Sequence, residues 1–332
     1  MAKRALIVGI NYPGTNHELR GCVNDANLIK KTITEQYGFT DVRRLLDDEA
    51  TTAGILDGLY WLVDGATPGD ILYFHFSGHG SQLLDRNGDE KDGLDEIICP
   101  ADLDWDKKVI TDDKLKSIFD SVPAGVNLTV TLDCCNSGGG LDQANQYQSL
   151  GEATRGEQAE GRYLPPPNRD DAAIYLEERV GFKKKAIQRN VDATGLLISG
   201  CQSHQTSADA YIDGGYIGAC TYYLVKNLEK NEWSVNYKTL VDSMNTDLAK
   251  AGYTQRPELN GSAKLFGDEF LQKTGQSIAD GEVEVVEGVD YIEPSKPNKK
   301  DDDDDKKGNK TILIIGAIIA LAALAFSGGF GG

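Results

Sequence analysis

Asn127-Leu-Thr-Val-Thr-Leu-Asp-Cys-Cys-Asn-Ser-Gly138 is the stretch whose reading decides the fold. Asn127 to Leu132 is a short β-branched apolar run that stops abruptly at Asp133, Cys134 and Cys135. Asn136, Ser137 and the glycines Gly138 to Gly140 follow. A buried strand that empties into a polar, glycine-rich turn is where α/β proteins expose reactive groups. Backbone N–H groups and a helix start beyond such a strand favour thiolate over thiol. Free cysteines are usually small, buried and inert. On its own, the stretch leaves both readings open.

Strand and helix patterns alternate on its N-terminal side. Apolar runs at Ala5–Ile10, Val42–Leu46 and Asp70–Phe76 read as strands. Helical spacing follows each: Val23, Ala26, Ile29 and Ile33; Ile55, Leu59 and Leu62 behind the caps Thr51 and Thr52; then Leu115, Ile118 and Phe119 after Thr111. Asp85 to Glu96 reads as an acidic, glycine-containing loop. Regular alternation predicts a mostly parallel sheet with helices on both faces, its function gathered outside the carboxyl ends of the strands. Two of those ends carry Ser77-Gly-His-Gly80 and Asp133-Cys-Cys135, and a third leads toward Cys22 and Asp25.

Residues 143–192 change character, being rich in Gln, Glu, Arg and Pro, and read as an exposed inserted connection. It carries the basic residues Arg155, Arg162, Arg169, Arg179, Lys183, Lys184 and Lys185. A buried strand returns at Gly195–Ser199, with helices near Ile217–Leu228 and Tyr237–Ala251. From Thr274 the chain becomes an acidic, prolyl spacer that reaches Asp301–Asp305. Thr311 to Phe326 is almost purely apolar. With its flanks it approaches the length that crosses a bilayer, and the lysines before it fit a cytosolic side for the main domain. The expected organisation is a catalytic half at 1–142, a linker at 143–192, a second half of the same domain at 193–273, a spacer at 274–310 and a transmembrane tail at 311–332.

The 34 basic and 52 acidic residues give a formal charge of -18, which argues against nucleic acid and suits basic substrates or hard cations. Six scattered cysteines without C-x-x-C spacing argue against a zinc site or a disulfide framework. With no secretory signal after Met1, the thiols are expected in a reducing compartment. His79, flanked by glycines at a strand end, can project over the sheet edge, whereas His75 alternates with Phe74 and Phe76 as a packing residue. A His75/His79 metal pair needs a helix, and Phe-Ser-Gly-His-Gly is not helical.

Tyr73-Phe-His-Phe-Ser-Gly-His-Gly80 together with Asp133-Cys-Cys-Asn-Ser-Gly138 resembles the metacaspases, in the caspase-like clan of cysteine peptidases. Gly9-Ile-Asn-Tyr12, Leu19-Arg-Gly-Cys-Val-Asn-Asp25, Asp89–Glu96, Ile110-Thr-Asp-Asp113 and Ser199–Asp209 resemble the same family, in the family's order, over about Lys3 to Leu271. The resemblance implies a caspase-like, mostly parallel six-stranded sheet. It also implies Cys135 as nucleophile, His79 as its partner, and the backbone N–H groups of Gly80 and Cys135 as holders of the oxyanion. Asp25 and Asp133, with Cys22 nearby, would line a pocket for arginine or lysine before the scissile bond. Asp95, Asp112, Asp113 and Asp142 would hold an activating Ca2+. Two features depart from the family pattern. Asn136 stands where many members have histidine, and no Pro-rich or zinc-finger prodomain precedes the catalytic half, so the subtype stays open.

The expectation is therefore a calcium-dependent, Arg/Lys-directed cysteine endopeptidase acting on proteins or peptides. Its catalytic domain would be monomeric, self-processed in the linker, and tail-anchored to a membrane on the cytosolic side. The alternatives are a catalytically silent caspase-like scaffold and a calcium-binding module at a membrane.

Overall fold

Unbroken burial along Ile71–Ser77 and again along Asn127–Asp133 marks two strands covered on both faces, as in the interior of a parallel sheet. The computed structural model describes residues 1–84, 94–135, 159–167, 195–202 and 205–273. In chain order they form β1 (Lys3–Gly9), α1 (Cys22–Gln36), β2 (Asp41–Leu46), α2 (Thr52–Val63), β3 (Ile71–Ser77), β4 (Gly80–Leu84), β5 (Leu94–Ile98) and β6 (Ile110–Thr111). Then come α3 (Asp112–Phe119), β7 (Asn127–Asp133), β8 (Glu160–Gly161), β9 (Gly195–Ser199), β10 (Ala208–Ile212), β11 (Gly215–Gly218), α4 (Ala219–Lys230), α5 (Tyr237–Lys250) and β12 (Glu258–Gly261).

Six strands form the main sheet in the order β12-β9-β7-β3-β1-β2. All neighbours pair in parallel except β12, which runs antiparallel to β9 at one edge. This is the expected six-stranded, mostly parallel arrangement. The strand period of two divides the side chains between two cores. Ile7, Ile71 and Tyr73 pack with α1, α4 and α5 on one face. Leu6, Phe74, Phe76 and Leu132 pack with α2 and α3 on the other. Gly9 lets β1 approach α1 closely, since a methyl there would sit 2.7 Å from Ala26 Cβ.

Register brings the important ends together. Ser77 lies opposite Asp133, and Gly9 lies opposite Ser77. Two small antiparallel sheets flank these ends, β4-β5-β6 and β8-β10-β11. They correct two sequence expectations. Residues 94–96 belong to the β4–β5 hairpin and not to a loop, because Asp95 and Glu96 pair with Leu83 and Gln82. Ile217 ends a hairpin and does not open a helix, because Asp213 and Gly214 both take positive φ in a tight turn. Among the described residues no helix is long and apolar enough to cross a membrane. Residues 311–332, read as the anchor, lie outside those described, as does most of the 143–192 connection.

Candidate active site

Three chain segments converge at the carboxyl end of β3 and β7. His79 follows β3, Cys135 follows β7, and the helix α1 presents Asp25 from its first turn. Gly21 caps α1 without a side chain. The Asn11 side chain supplies the cap from the end of β1, accepting from the N–H groups of Cys22 (2.9 Å) and Val23 (3.2 Å).

His79 is held from every side. Its backbone N–H donates to the Tyr12 hydroxyl (2.9 Å), and that hydroxyl donates to the Cys99 carbonyl (2.7 Å). The Tyr12 ring lies 4.8 Å from the imidazole, centroid to centroid. Nε2 sits 2.7 Å from the His17 carbonyl oxygen. A carbonyl only accepts, so Nε2 carries the hydrogen and Nδ1 keeps its lone pair. Nδ1 is buried and has no hydrogen-bond partner. Burial lowers the imidazole pKa to about 4, so the ring is neutral near neutrality.

The Cys135 sulfur accepts from the Ser207 N–H at 2.8 Å and is fully buried. Burial, and then the neighbouring Cys201 thiol, push its pKa well above the ordinary thiol value. This reverses the expectation of a favoured thiolate: desolvation outweighs the backbone donor. No hydrogen bond joins His79 to Cys135 in this state, so the two are neighbours in the fold but not an engaged pair.

What fills the cleft is the chain itself. Residues 159–166 are not an exposed part of a connection, as their composition suggests. They lie across the site, with Arg162 completely buried. The guanidinium Nη2 reaches Asp25 Oδ2 (2.7 Å) and Asp209 Oδ1 (2.9 Å), while Nη1 reaches Ser77 Oγ (2.8 Å) and Asp133 Oδ1 (3.1 Å). The Cys22 thiol lies against Ser77 in the same pocket and is raised by burial. The backbone is engaged as well. The Arg162 carbonyl accepts from the N–H groups of Gly80 (3.0 Å) and Cys135 (3.2 Å), the two donors expected around an oxyanion.

Asp25, Asp133 and Cys22 are thus brought together as the sequence implied, and the structure adds Asp209, Ser77 and Gly218. Asp133 is locked by Ser207 Oγ (2.6 Å), Thr221 Oγ1 (2.7 Å) and the Thr221 N–H (2.9 Å) at the start of α4. Burial works to raise Asp133, but Arg162 and these donors hold it below the ordinary carboxylate value. Burial dominates at Asp25, which rises to about 6 even beside the guanidinium. Asp209 also accepts the backbone N–H groups of Arg20 (2.8 Å) and Gly21 (3.0 Å), tying the loop before α1 to β10. Its only sequence signal is its place at the end of Ser199–Asp209.

The candidate calcium ligands are less assembled. Asp95 lies on β5, and Asp112 and Asp113 open α3 just past β6, whose Thr111 pairs with Ile97. All three therefore sit toward one end of the small sheet, and oxygen-only donors suit a hard cation. Among the described residues, no three such groups close into a metal-binding cluster. Asp142 and Asn136 lie outside the described residues.

Residues 3–144 match the family model described as metacaspase, peptidase C14 domain. Metacaspase-1 of Cryptococcus neoformans is 36% identical over 290 residues, covering 78% of this chain and 62% of the relative. The chain thus spans about three fifths of that relative's length. Metacaspase-1A of Aspergillus terreus is 33% identical over 288 residues, covering 79% of this chain and 71% of the relative. Among solved structures, the crystal structure of protein GSU0716 from Geobacter sulfurreducens superposes with a TM-score of 0.58 at 26% identity, covering 83% of this chain and 98% of that one.

Proposed function

The chain belongs to the metacaspase family, and from that premise we propose that it is a cysteine endopeptidase cleaving proteins or peptides after arginine or lysine. The observation that carries the reading is Arg162: an arginine side chain sits among Asp25, Asp133 and Asp209 while its carbonyl meets two backbone N–H donors beside a cysteine sulfur. Three carboxylates around one pocket select a cation, and a forked guanidinium matches them better than an ammonium. In the reaction His79 Nδ1 takes the Cys135 proton and returns it to the leaving amine, with Nε2–H anchored on the His17 carbonyl. The Gly80 and Cys135 N–H groups hold the negative oxygen; losing one such donor typically costs about 10²–10³ in turnover.

Calcium activation, self-processing in the 143–192 connection and anchoring by residues 311–332, with the catalytic domain facing the cytosol, complete the proposal. Calcium would be taken by Asp95, Asp112, Asp113 and Asp142, supplying positive charge to an acidic surface. The apolar run Thr311–Phe326 supports the anchor. Peptide hydrolysis across residue types, with and without calcium, tests the core of the reading. Arg- and Lys-ended peptides should be cut only with calcium, and Cys135→Ala should fall to background. Turnover of Asp-ended peptides instead, or full turnover by Cys135→Ala, would sink it. A silent scaffold would leave Cys135 unlabelled by a thiol-reactive peptide warhead. Membrane sedimentation with and without residues 311–332 tests the anchor.

A further inference from the structure

We propose that Ser207 is the residue that aligns the acid-lined pocket with the nucleophile, and that Gln255 holds it in place from the far end of the second half. Ser207 meets the sulfur itself, whereas Gln255 acts only through Ser207 and is a positioning residue. The proposal rests on the peptidase reading above and adds to it two residues with separable effects on substrate binding and turnover.

Ser207 lies between β9 and β10 and is fully buried. Its hydroxyl donates to Asp133 Oδ1 (2.6 Å), and its backbone N–H donates to the Cys135 sulfur (2.8 Å). Its carbonyl accepts the Arg162 N–H (3.0 Å), so it also meets the backbone of the residue whose side chain fills the pocket. The hydroxyl and the N–H do different work. Asp133 Oδ2 takes its two bonds from Thr221, whereas Oδ1 is shared between Ser207 and the guanidinium. The hydroxyl therefore fixes how Oδ1 faces an incoming cation. Burial dominates the raised pKa of the Cys135 thiol, and the Ser207 N–H opposes it by favouring the charged sulfur.

A serine in a loop can do neither unless the loop is fixed. Gln255, buried between α5 and β12, grips that loop at two points. Its Oε1 accepts the Ala208 N–H (3.0 Å), and its Nε2 donates to the Gly200 carbonyl (3.0 Å) and lies 3.4 Å from Ser207 Oγ. These partners fix the amide, since only Nε2 can meet a carbonyl and only Oε1 an N–H. Nε2 donates only, so the serine oxygen accepts there and keeps its single hydrogen for Asp133. Gln205 returns the grip, accepting the Arg256 N–H (2.8 Å) and donating to the Thr254 carbonyl (2.7 Å). Space is closed around the hydroxyl as well, because a methyl on Gly200 would come to 2.9 Å from Ser207 Oγ. The contacts of Gln255 thus bracket the residue that joins the pocket carboxylate to the sulfur.

The test is hydrolysis of arginine peptides by the full chain with calcium, each constant divided by the sites that a thiol-reactive peptide warhead titrates. A residue needed only for folding lowers that number and leaves the per-site constants alone. Ser207→Ala removes the hydroxyl but keeps the N–H on the sulfur. It should raise KM about tenfold or more, the order of one hydrogen bond to a charged group, with kcat little changed. Gln255→Leu frees the loop backbone, so it should raise KM likewise and also lower kcat about tenfold. Alkylation of Cys135 by iodoacetamide, followed by peptide mass, should need a higher pH in Gln255→Leu but not in Ser207→Ala. In the double variant the two KM effects should not add, since both act through one hydroxyl. Should Gln255→Leu not fold, Gln255→Asn keeps the amide but is too short to reach both Gly200 and Ala208, and should behave the same. Per-site constants equal to wild type in both variants, or KM effects that add in full, overturn the proposal and leave the peptidase reading standing. A fall in kcat alone for Ser207→Ala overturns the link to the pocket. Absence of hydrolysis by the wild type overturns the peptidase reading itself.

Discussion

Gly218 shows how a single residue gives the acid-lined pocket its room. Its φ of -67° suits any residue, so backbone freedom does not call for glycine there; space does. A methyl on Gly218 would come to 2.5 Å from Arg162 Nη1 and closer still to Asp133 Oδ2. Its N–H meanwhile holds Asp25 Oδ1 at 2.8 Å. Gly218→Ala should therefore crowd Asp133 and exclude a guanidinium. Overpacking of about 1–3 kcal/mol corresponds to roughly a 5- to 150-fold loss of kcat/KM on arginine peptides. The loss should fall mainly on KM, and unchanged kinetics would show that the pocket lies elsewhere. Asp25 and Asp133 are legible in the sequence because they stand in motifs beside a strand end. Gly218 and Asp209 are not, since their role arises only when β10 and β11 fold back over the end of β7. Arg162 is legible as a basic residue of the connection, but its burial is not. A Pro- and Glu-rich composition signals exposure, and three carboxylates from distant segments override it.

The turn from β3 to β4 is the element that carries His79, and Tyr12 clamps it from the end of β1. Tyr12 sits at a φ of 54°, a left-handed conformation costing on the order of 1–2 kcal/mol for a non-glycine residue. Its hydroxyl is both acceptor for the His79 N–H and donor to Cys99, so the strain maintains a two-sided clamp. Tyr12→Phe should lower kcat about tenfold, the effect of losing about 1–1.5 kcal/mol of hydrogen bonding at a positioning group. KM should change little, because the clamp does not touch the pocket. Equal changes in kcat and KM would mean that Tyr12 shapes substrate binding instead. At this scale the sequence is most informative where alternation is clean. β1, β3, β7 and β9 stand where their apolar runs predict, and α1, α2, α3 and α5 stand where their spacing does. It is least informative at the short hairpins. In β4–β5 an acid-rich intervening stretch hides two strands, and in β10–β11 an Asp-Gly turn sits directly before a helix.

For the whole molecule, the buried histidines make acid the natural denaturant. Burial lowers both His75 and His79 to about 4, so the native chain binds no proton on either where the unfolded chain, titrating near 6.5, gains two. Their contribution is intact above about pH 6.5 and is lost as pH falls toward 4. Asp25 works in the opposite direction. Burial raises it to about 6, so the native state holds a proton there that the unfolded state releases above its ordinary 3.8, and its stabilising effect is lost as pH rises through 6. Two histidines outweigh one carboxylate, leaving a net gain of about one proton on unfolding between pH 4 and 6. At 1.36 kcal/mol per unit, with the two histidines unopposed above pH 6, stability should fall by about 3 kcal/mol from pH 6.5 to 4.5. Urea unfolding of Cys135→Ala, which avoids self-cleavage, measures this directly. His75 lies in β3 with Asp133 and Arg162 as its charged neighbours, and neither of its ring nitrogens has a hydrogen-bond partner. His75→Phe should therefore remove about half of the histidine share and nearly flatten the slope between pH 4 and 6. A slope that keeps its size in His75→Phe would overturn this assignment, because Asp133, held below its ordinary 3.8 by Arg162, loses its contribution only below about pH 4.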